Sequence, residues 1–275
     1  MKLSRWTLFV SDYPAKGDYI AYNTRSQAII VVNEELKNIL EGLPESACQK
    51  DGAELEQNLK VLEEMGIIVE DGVDEAESLE YWFDRMKYET AGLHVTILTT
   101  YDCNFACSYC FEEAVKKKVY LNLEVASQVV SWITNVAAKH HSHKIELVFY
   151  GGEPMLNLTA IEYISKTIGE WAKERWVKFG FDIVTNGSLL TSEAADRLLG
   201  LGLLSVQITL DGDSISHDIS RPFRTGEGSF ETILNNISAI ADKVKVHLNG
   251  NFNTKTYDNM LKLLDVLEDR GLKDK

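Results

Sequence analysis

Between Thr99 and Phe111 the chain reads Thr-Thr-Tyr-Asp-Cys-Asn-Phe-Ala-Cys-Ser-Tyr-Cys-Phe, which sets Cys103, Cys107 and Cys110 at Cys-x3-Cys-x2-Cys spacing. Thiols this close can face one small volume only if the backbone wraps around it. That geometry suits an inorganic centre better than a disulfide, and thiolates select zinc, copper(I) or iron–sulfur. A closed zinc or cluster site uses a fourth protein ligand, and none follows at ligand spacing. The remaining cysteine, Cys48, lies far upstream in a polar, turn-like stretch. The spacing points first to an iron–sulfur cube held at three corners, its fourth iron free for a small molecule. Zinc with a ligand elsewhere, and plain core cysteines, are the other readings it permits.

The elements that must position these thiols begin at Leu93, where strand and helix patterns alternate. Expected strands are Leu93–Thr99, Ile145–Tyr150, Phe181–Thr185, Ser205–Leu210 and Lys245–Leu248. Between and after them lie helical stretches at Leu123–Lys139, Leu158–Trp176, Ser192–Leu199, Ser229–Ala241 and Tyr257–Arg270. Such alternation predicts an α/β fold of parallel strands with crossover helices, a barrel or an open sheet. The chemically unusual residues fall where strands end, the place where such folds build sites. The second strand ends in Gly151-Gly152-Glu153-Pro154. Paired glycines admit a ligand close to the backbone, and Glu153 with exposed carbonyls can accept from an ammonium; alone, the motif reads equally well as a tight turn. The third strand ends in Thr185-Asn186-Gly187, by itself a turn signal. On the fourth, the period of two puts Gln207, Thr209 and Asp211 on one polar face. A buried polar row is costly unless satisfied, and a polar ligand could satisfy it.

Upstream, residues 4–32 read as strand-rich: Trp6, Leu8 and Val10 alternate, a turn spans Pro14–Gly17, and Asp18–Tyr22 and Ala28–Val32 follow. Glu34–Leu43 reads as a helix capped by Asn33 and stopped by Pro44; Leu55, Leu59, Leu62 and Met65 mark another, ended by Gly66, with a wing strand at Ile67–Val69. Residues 1–70 thus predict a small winged-helix-like α+β domain. Residues 71–90 predict an acidic linker helix packed by a stripe of Leu79, Trp82, Phe83 and Met86. Residues 91–275 hold the α/β part.

The net charge of −14 over 275 residues disfavours a nucleic-acid partner. Residues 1–90 carry most of it, with 9 Lys and Arg against 19 Asp and Glu. No apolar run resembles a membrane span and no signal-peptide core opens the chain, so the expected setting is cytoplasmic and reducing. His140, His141 and His143 read as a solvated helix end, and Lys116-Lys117-Lys118 as a solvated loop.

Together the motifs resemble the radical S-adenosylmethionine (radical SAM) family. Cys-x3-Cys-x2-Cys with Tyr109 before the third cysteine, then Gly-Gly-Glu-Pro, Thr-Asn-Gly and Gln-Ile-Thr-Leu-Asp-Gly follow successive strands across roughly residues 93–255. His217-Asp218-Ile219-Ser220-Arg221, with Gly226-Glu227-Gly228-Ser229-Phe230 after it, is similar to the SPASM-type subgroup of peptide and protein maturases. Residues 1–70 are similar, more loosely, to a leader-peptide recognition domain, notably through Tyr22-Asn23-Thr24. The resemblance implies a partial (β/α)6-type barrel, of which about five units are countable, and cofactors that are a [4Fe–4S] cluster and S-adenosylmethionine. Cys103, Cys107 and Cys110 would hold the cluster. The Gly151–Glu153 turn would hold the ammonium, Thr209 and Arg221 the ribose and carboxylate side, and Tyr109 with Thr185–Asn186 the adenosyl pocket. Gln207 and Asp211 share the cofactor-facing row, and Arg221 has a plainer alternative as a loop residue paired with Asp218.

The implied activity is reductive cleavage of S-adenosylmethionine to a 5′-deoxyadenosyl radical that takes hydrogen from a ribosomal peptide. The implied partners are a precursor peptide whose leader carries some positive charge and a reductant protein such as flavodoxin or ferredoxin. An anaerobic sulfatase-maturase-like modifier, or a non-catalytic cluster protein that binds peptide or passes electrons, are the alternatives. Relatives of this subgroup usually continue into a cysteine-rich C-terminal domain, so the sequence is expected to be a fragment of a longer enzyme.

Overall fold

A computed structural model describes residues 1–43, 53–254 and 256–272, which form two compact units, Met1–Glu89 and Thr90–Lys275. Cys48 and the Pro44 helix stop lie outside the described residues.

In the first unit, β1 (Lys2–Leu3) pairs antiparallel with β5 (Ile68–Val69), and β2 (Thr7–Ser11), β3 (Asp18–Asn23) and β4 (Ile29–Asn33) form an antiparallel sheet in the order β2-β3-β4. Alternation turns Ala21 and Val32 inward, where they join Leu40 of α1 (Glu34–Glu41), Leu62 of α2 (Ala53–Glu64), Ile67 and Ile68. Asn33 caps α1 as expected, accepting the Leu36 N–H at 2.9 Å. Buried Asn23 ties the unit together: its amide donates to Gly66 O at 2.7 Å, and its carbonyl takes the N–H groups of Arg25 and Ser26. Helix α3 (Glu75–Tyr88) is capped by Asp74 and anchored by buried Glu75, which accepts from Ser4 Oγ and Arg5 N. Its expected packed stripe is not formed. Trp82, Phe83 and Met86 are 51%, 58% and 60% exposed, because no element among the described residues of the unit covers that side.

The second unit is an α/β partial barrel wall of five parallel strands. These are β6 (Gly92–Thr100), β7 (Lys144–Gly151), β8 (Lys178–Thr185), β9 (Leu203–Thr209) and β10 (Lys245–Asn249), neighbours in chain order. Crossovers run through α4 (Leu123–Lys139), α5 (Leu158–Glu174), α6 (Ser192–Leu199), then α7 (Ser214–Ser220) with α8 (Phe230–Ile240); α9 (Asp258–Asp269) follows β10. Ile145, Leu147, Phe149, Phe181, Ile183, Val206 and Ile208 bury fully against helix residues such as Ile133, Ile161, Ile164, Leu198 and Ile233. Each such side chain taken from water contributes about 1.5–3 kcal/mol, which fixes the strand register that the loops depend on. Several boundaries differ from expectation; β8 begins at Lys178 and β9 at Leu203, ahead of Phe181 and Ser205. Helix α5 stops at Glu174 because Trp176 adopts φ 59° and points into solvent, and α7 is an additional helix. Among the described residues no helix is long and apolar enough to cross a membrane.

Candidate functional site

The C-terminal ends of β6, β7, β8 and β9 share a cleft of about 140 Å³, with Cys103, Cys107 and Cys110 in its wall. The cysteine loop that leaves β6 is stitched by backbone hydrogen bonds to the segment after α7. Ala106 N donates to Pro222 O, Ser108 N to Ser220 O and Arg224 N to Asn104 O, each at 2.9 Å. Between them Phe105 is fully buried, edge-on to Phe223 at 4.9 Å. Asp102 sets the start of the loop. Its Oδ1 accepts from Cys103 N (2.9 Å) and Arg224 Nη1 (2.7 Å), and its Oδ2 from the Tyr120 hydroxyl (2.6 Å). Burial raises this carboxyl, but the Tyr120 and Arg224 bonds outweigh it and hold Asp102 below the usual carboxylate range.

All three thiols are free, with Cys103 buried and the other two half-buried. Burial pushes Cys103 up to about 11 and raises Cys107 as well, so an incoming metal centre must displace their protons. Among the described residues no three His, Cys, Asp or Glu side chains crowd one point closely enough to grip a single ion. All three thiols stand in the wall of the cleft. Lys116, expected in solvent, instead joins this wall with its side chain 7% exposed; its Nζ donates to Phe105 O at 3.3 Å and pairs with Glu113 at 2.6 Å. Its neighbours Lys117 and Lys118 are exposed, as are His140, His141 and His143.

The glycines after β7 answer first to the chain's own backbone. A Cβ on Gly151 would lie 2.4 Å from Thr100 O, and one on Gly152 2.3 Å from Asp102 O. Both glycines also line the cleft. Glu153 does not line it. Its fully buried carboxylate is taken up by Thr185 Oγ1 (2.7 Å), Asn186 N (2.7 Å) and Met155 N (3.0 Å), so it staples the β7 turn to the β8 turn. Three internal donors thus hold this carboxylate in the scaffold, as a buried polar group requires. Burial still raises this carboxyl above its ordinary range.

Thr185 and Asn186 reach the cleft while serving the scaffold. The Asn186 amide donates to Asn104 Oδ1 at 2.8 Å, and Asn104 in turn to Ser188 Oγ at 2.9 Å, which ties the β8 turn to the cysteine loop. On β9 the expected polar row divides. Thr209 is buried and lines the cleft. Gln207 is exposed and outside it, because the sheet face that carries it is open at that level. Asp211 turns toward an adjoining groove, where it accepts from the Tyr109 hydroxyl and from Asn251 N at 2.8 Å.

Arg221 is 8% exposed and lines the cleft. Its Nη1 donates to Tyr109 Oη at 2.7 Å, its guanidinium lies 5.8 Å from the Phe105 ring, and its buried Nε has no partner among the described residues. The plainer pairing with Asp218 does not occur, since Asp218 Oδ1 accepts from Ser229 N and Phe230 N at the start of α8. Burial and the Asp211 carboxylate push Tyr109 up to about 12, against the pull of Arg221. A buried N–H left open beside free thiols fits a cleft that takes an anionic or polar group next to a thiolate-bound centre. Asp102, Asn104, Tyr120, Arg224 and Asn251 carry no motif signal. Only the adjacency of Asp102 and Asn104 to Cys103 hinted at any of them.

Residues 97–273 match the Radical SAM superfamily. The chain is 24% identical over 206 residues to the radical SAM cyclopropyl synthase TigE of Paramaledivibacter caminithermalis, a match covering 69% of this chain and 42% of that protein. It is 29% identical over 156 residues to the cysteine-type anaerobic sulfatase-maturating enzyme of Clostridium novyi, covering 54% and 40%. A solved structure of anSMEcpe with bound S-adenosylmethionine superposes with a TM-score of 0.58 at 22% identity, over 66% of this chain and 50% of the other. The chain thus spans about half the length of the curated relatives it matches. With the match running from the end of β6 through α9, across every strand end that opens on the cleft, the chain belongs to the Radical SAM superfamily, whose cofactors are a [4Fe–4S] cluster and S-adenosylmethionine.

Proposed function

We propose that the chain is the cofactor-binding part of a radical SAM maturase acting on a ribosomally made peptide. One observation carries this reading: Cys103, Cys107, Cys110, Arg221, Thr209 and the Gly151–Gly152 turn line a single cleft. In this reading the three thiolates hold the cluster. Carbonyl groups of the glycine turn take the ammonium, since Glu153 is occupied by internal donors. Arg221 meets the carboxylate, Thr209 the ribose, and Tyr109 with Thr185–Asn186 the adenosyl side. When bound, the cluster and S-adenosylmethionine supply a 5′-deoxyadenosyl radical that takes hydrogen from the substrate. The chain's own residues bind, orient and exclude water: buried Phe105 and Arg221 close the floor of the cleft, and a dry pocket protects a reactive species.

The first unit is the proposed leader-binding module, acting by strand addition at a sheet edge. Its excess of acidic residues favours a leader with positive charge. A flavodoxin or ferredoxin is the proposed electron donor. The similarity to a sulfatase-maturating enzyme supports a second reading, a modifier of a protein substrate. Co-expression of the full-length protein with a short peptide encoded beside it, followed by mass spectrometry, tests the proposal. A mass change in that peptide that is lost with Cys107→Ala supports it; an unmodified peptide and a modified sulfatase support the second reading.

A further inference from the structure

Building on the reading that Arg221 meets the nucleotide's carboxylate, we propose that buried His217 is the positioning residue that aims Arg221, acting through the Ser229 hydroxyl. His217 is 0% exposed, so each ring nitrogen must find a partner inside the protein. Its Nδ1 lies 3.1 Å from Asp211 N, a group that can only donate, so Nδ1 accepts. Ser229 Oγ lies 2.7 Å from the Arg221 carbonyl, which can only accept, so the single hydroxyl proton goes there. His217 Nε2, 3.0 Å from Ser229 Oγ, must then carry the ring proton and donate it. One neutral tautomer satisfies the whole chain of contacts.

The two ends of that chain both connect to residues that line the cleft, Tyr109 and Arg221. At one end the Asp211 peptide closes β9, and its carboxylate receives the Tyr109 hydroxyl. At the other, the carbonyl of Arg221 is held while its side chain extends into the cleft. Ser229 has no room to drift. Its N–H is fixed on Asp218 Oδ1 at 2.8 Å, and a Cβ on the preceding Gly228 would meet Asp218 Oδ2 at 2.2 Å. The charged groups facing His217 are Arg221, Asp211 and Asp218, and none of them hydrogen-bonds the ring through its side chain. The ring thus meets the Asp211 backbone directly and the Arg221 backbone by way of the Ser229 hydroxyl.

The test is equilibrium binding by the reconstituted, cluster-loaded protein of two probes. S-adenosylhomocysteine carries the carboxylate, and 5′-methylthioadenosine lacks the whole amino-acid portion. Ser229→Ala, which removes one hydroxyl, is expected to weaken S-adenosylhomocysteine about tenfold and to leave 5′-methylthioadenosine within about twofold. His217→Gln, which can still donate toward Ser229, is expected to retain more S-adenosylhomocysteine affinity than His217→Leu. Equal losses for both probes would mark His217 and Ser229 as general scaffold, and no loss for either would mark them as uninvolved; both results overturn the proposal. Arg221→Gln separates the two levels. If it shows no selectivity between the probes, the carboxylate reading falls and the inference with it. If it is selective while Ser229→Ala is not, only the inference falls.

Discussion

Replacing Gly152 by alanine strikes the cysteine loop without touching a thiol. The Gly152 N–H donates to Thr100 O at 3.0 Å and the Glu153 N–H to Asp102 O at 2.7 Å, so the β7 turn lies directly on the backbone that leads into Cys103. An added Cβ would sit 2.3 Å from Asp102 O, 2.7 Å from its carbonyl carbon and 3.1 Å from Tyr101 O, where 3.4 Å is ordinary contact. These atoms are backbone and cannot swing aside, so the Asp102 peptide must retreat by about 1 Å to regain normal packing. Overpacking of this kind costs about 1–3 kcal/mol, and the strained Glu153–Asp102 hydrogen bond adds about 1 kcal/mol. For a unit of this size that loss lowers Tm by roughly 5–15 °C. The displacement passes straight to Cys103, so anaerobic reconstitution should leave most Gly152→Ala molecules without iron. Gly72→Ala, whose Cβ meets nothing within 4 Å, is the control. A Gly152→Ala protein with full iron and sulfide content and an unchanged Tm would refute the packing argument.

Three further outcomes follow from the same contacts. Asp102→Asn turns an acceptor for Tyr120, Arg224 and Cys103 N partly into a donor, and should cost about 1–3 kcal/mol; an unchanged urea midpoint would contradict this. Burial, helped by Arg221, holds His217 down to about 4 against an ordinary 6.5, so the unfolded chain takes up the proton first on acidification. Stability from this group is therefore full above the ordinary value and is lost toward the folded one, by up to about 3 kcal/mol; an identical acid sensitivity in His217→Gln would show another group responsible. Lys116→Met removes the buried cation from the thiol wall and should move the cluster midpoint, read by EPR-monitored titration, to more negative values; an unmoved midpoint would return Lys116 to a purely structural role.

The five parallel strands were legible because each carries apolar residues at alternate positions with a helix pattern after it, and the cysteine spacing spoke for itself. What escaped was non-local. Strand β1 has two residues and exists only through its pairing with β5. Helix α7 has weak intrinsic propensity and is held by the Asp213 cap and by His217. Glu153 was recognisable as a site carboxylate, but its donors Thr185 and Asn186 lie 32 and 33 residues away, and only folding shows that they satisfy it. The period of two put Gln207 and Thr209 on the same side of β9 but could not tell which is covered. Likewise a helical stripe of Trp82, Phe83 and Met86 reports period, not cover.

Mössbauer spectroscopy of protein reconstituted without oxygen in isotopically enriched iron, recorded before and after S-adenosylmethionine, tests the central claim most directly. The account predicts a [4Fe–4S] signal in which one iron site alone changes when the nucleotide is added, and no cluster in Cys103→Ala, Cys107→Ala or Cys110→Ala. Zinc in place of iron, or a cube whose four sites ignore the nucleotide, would contradict it.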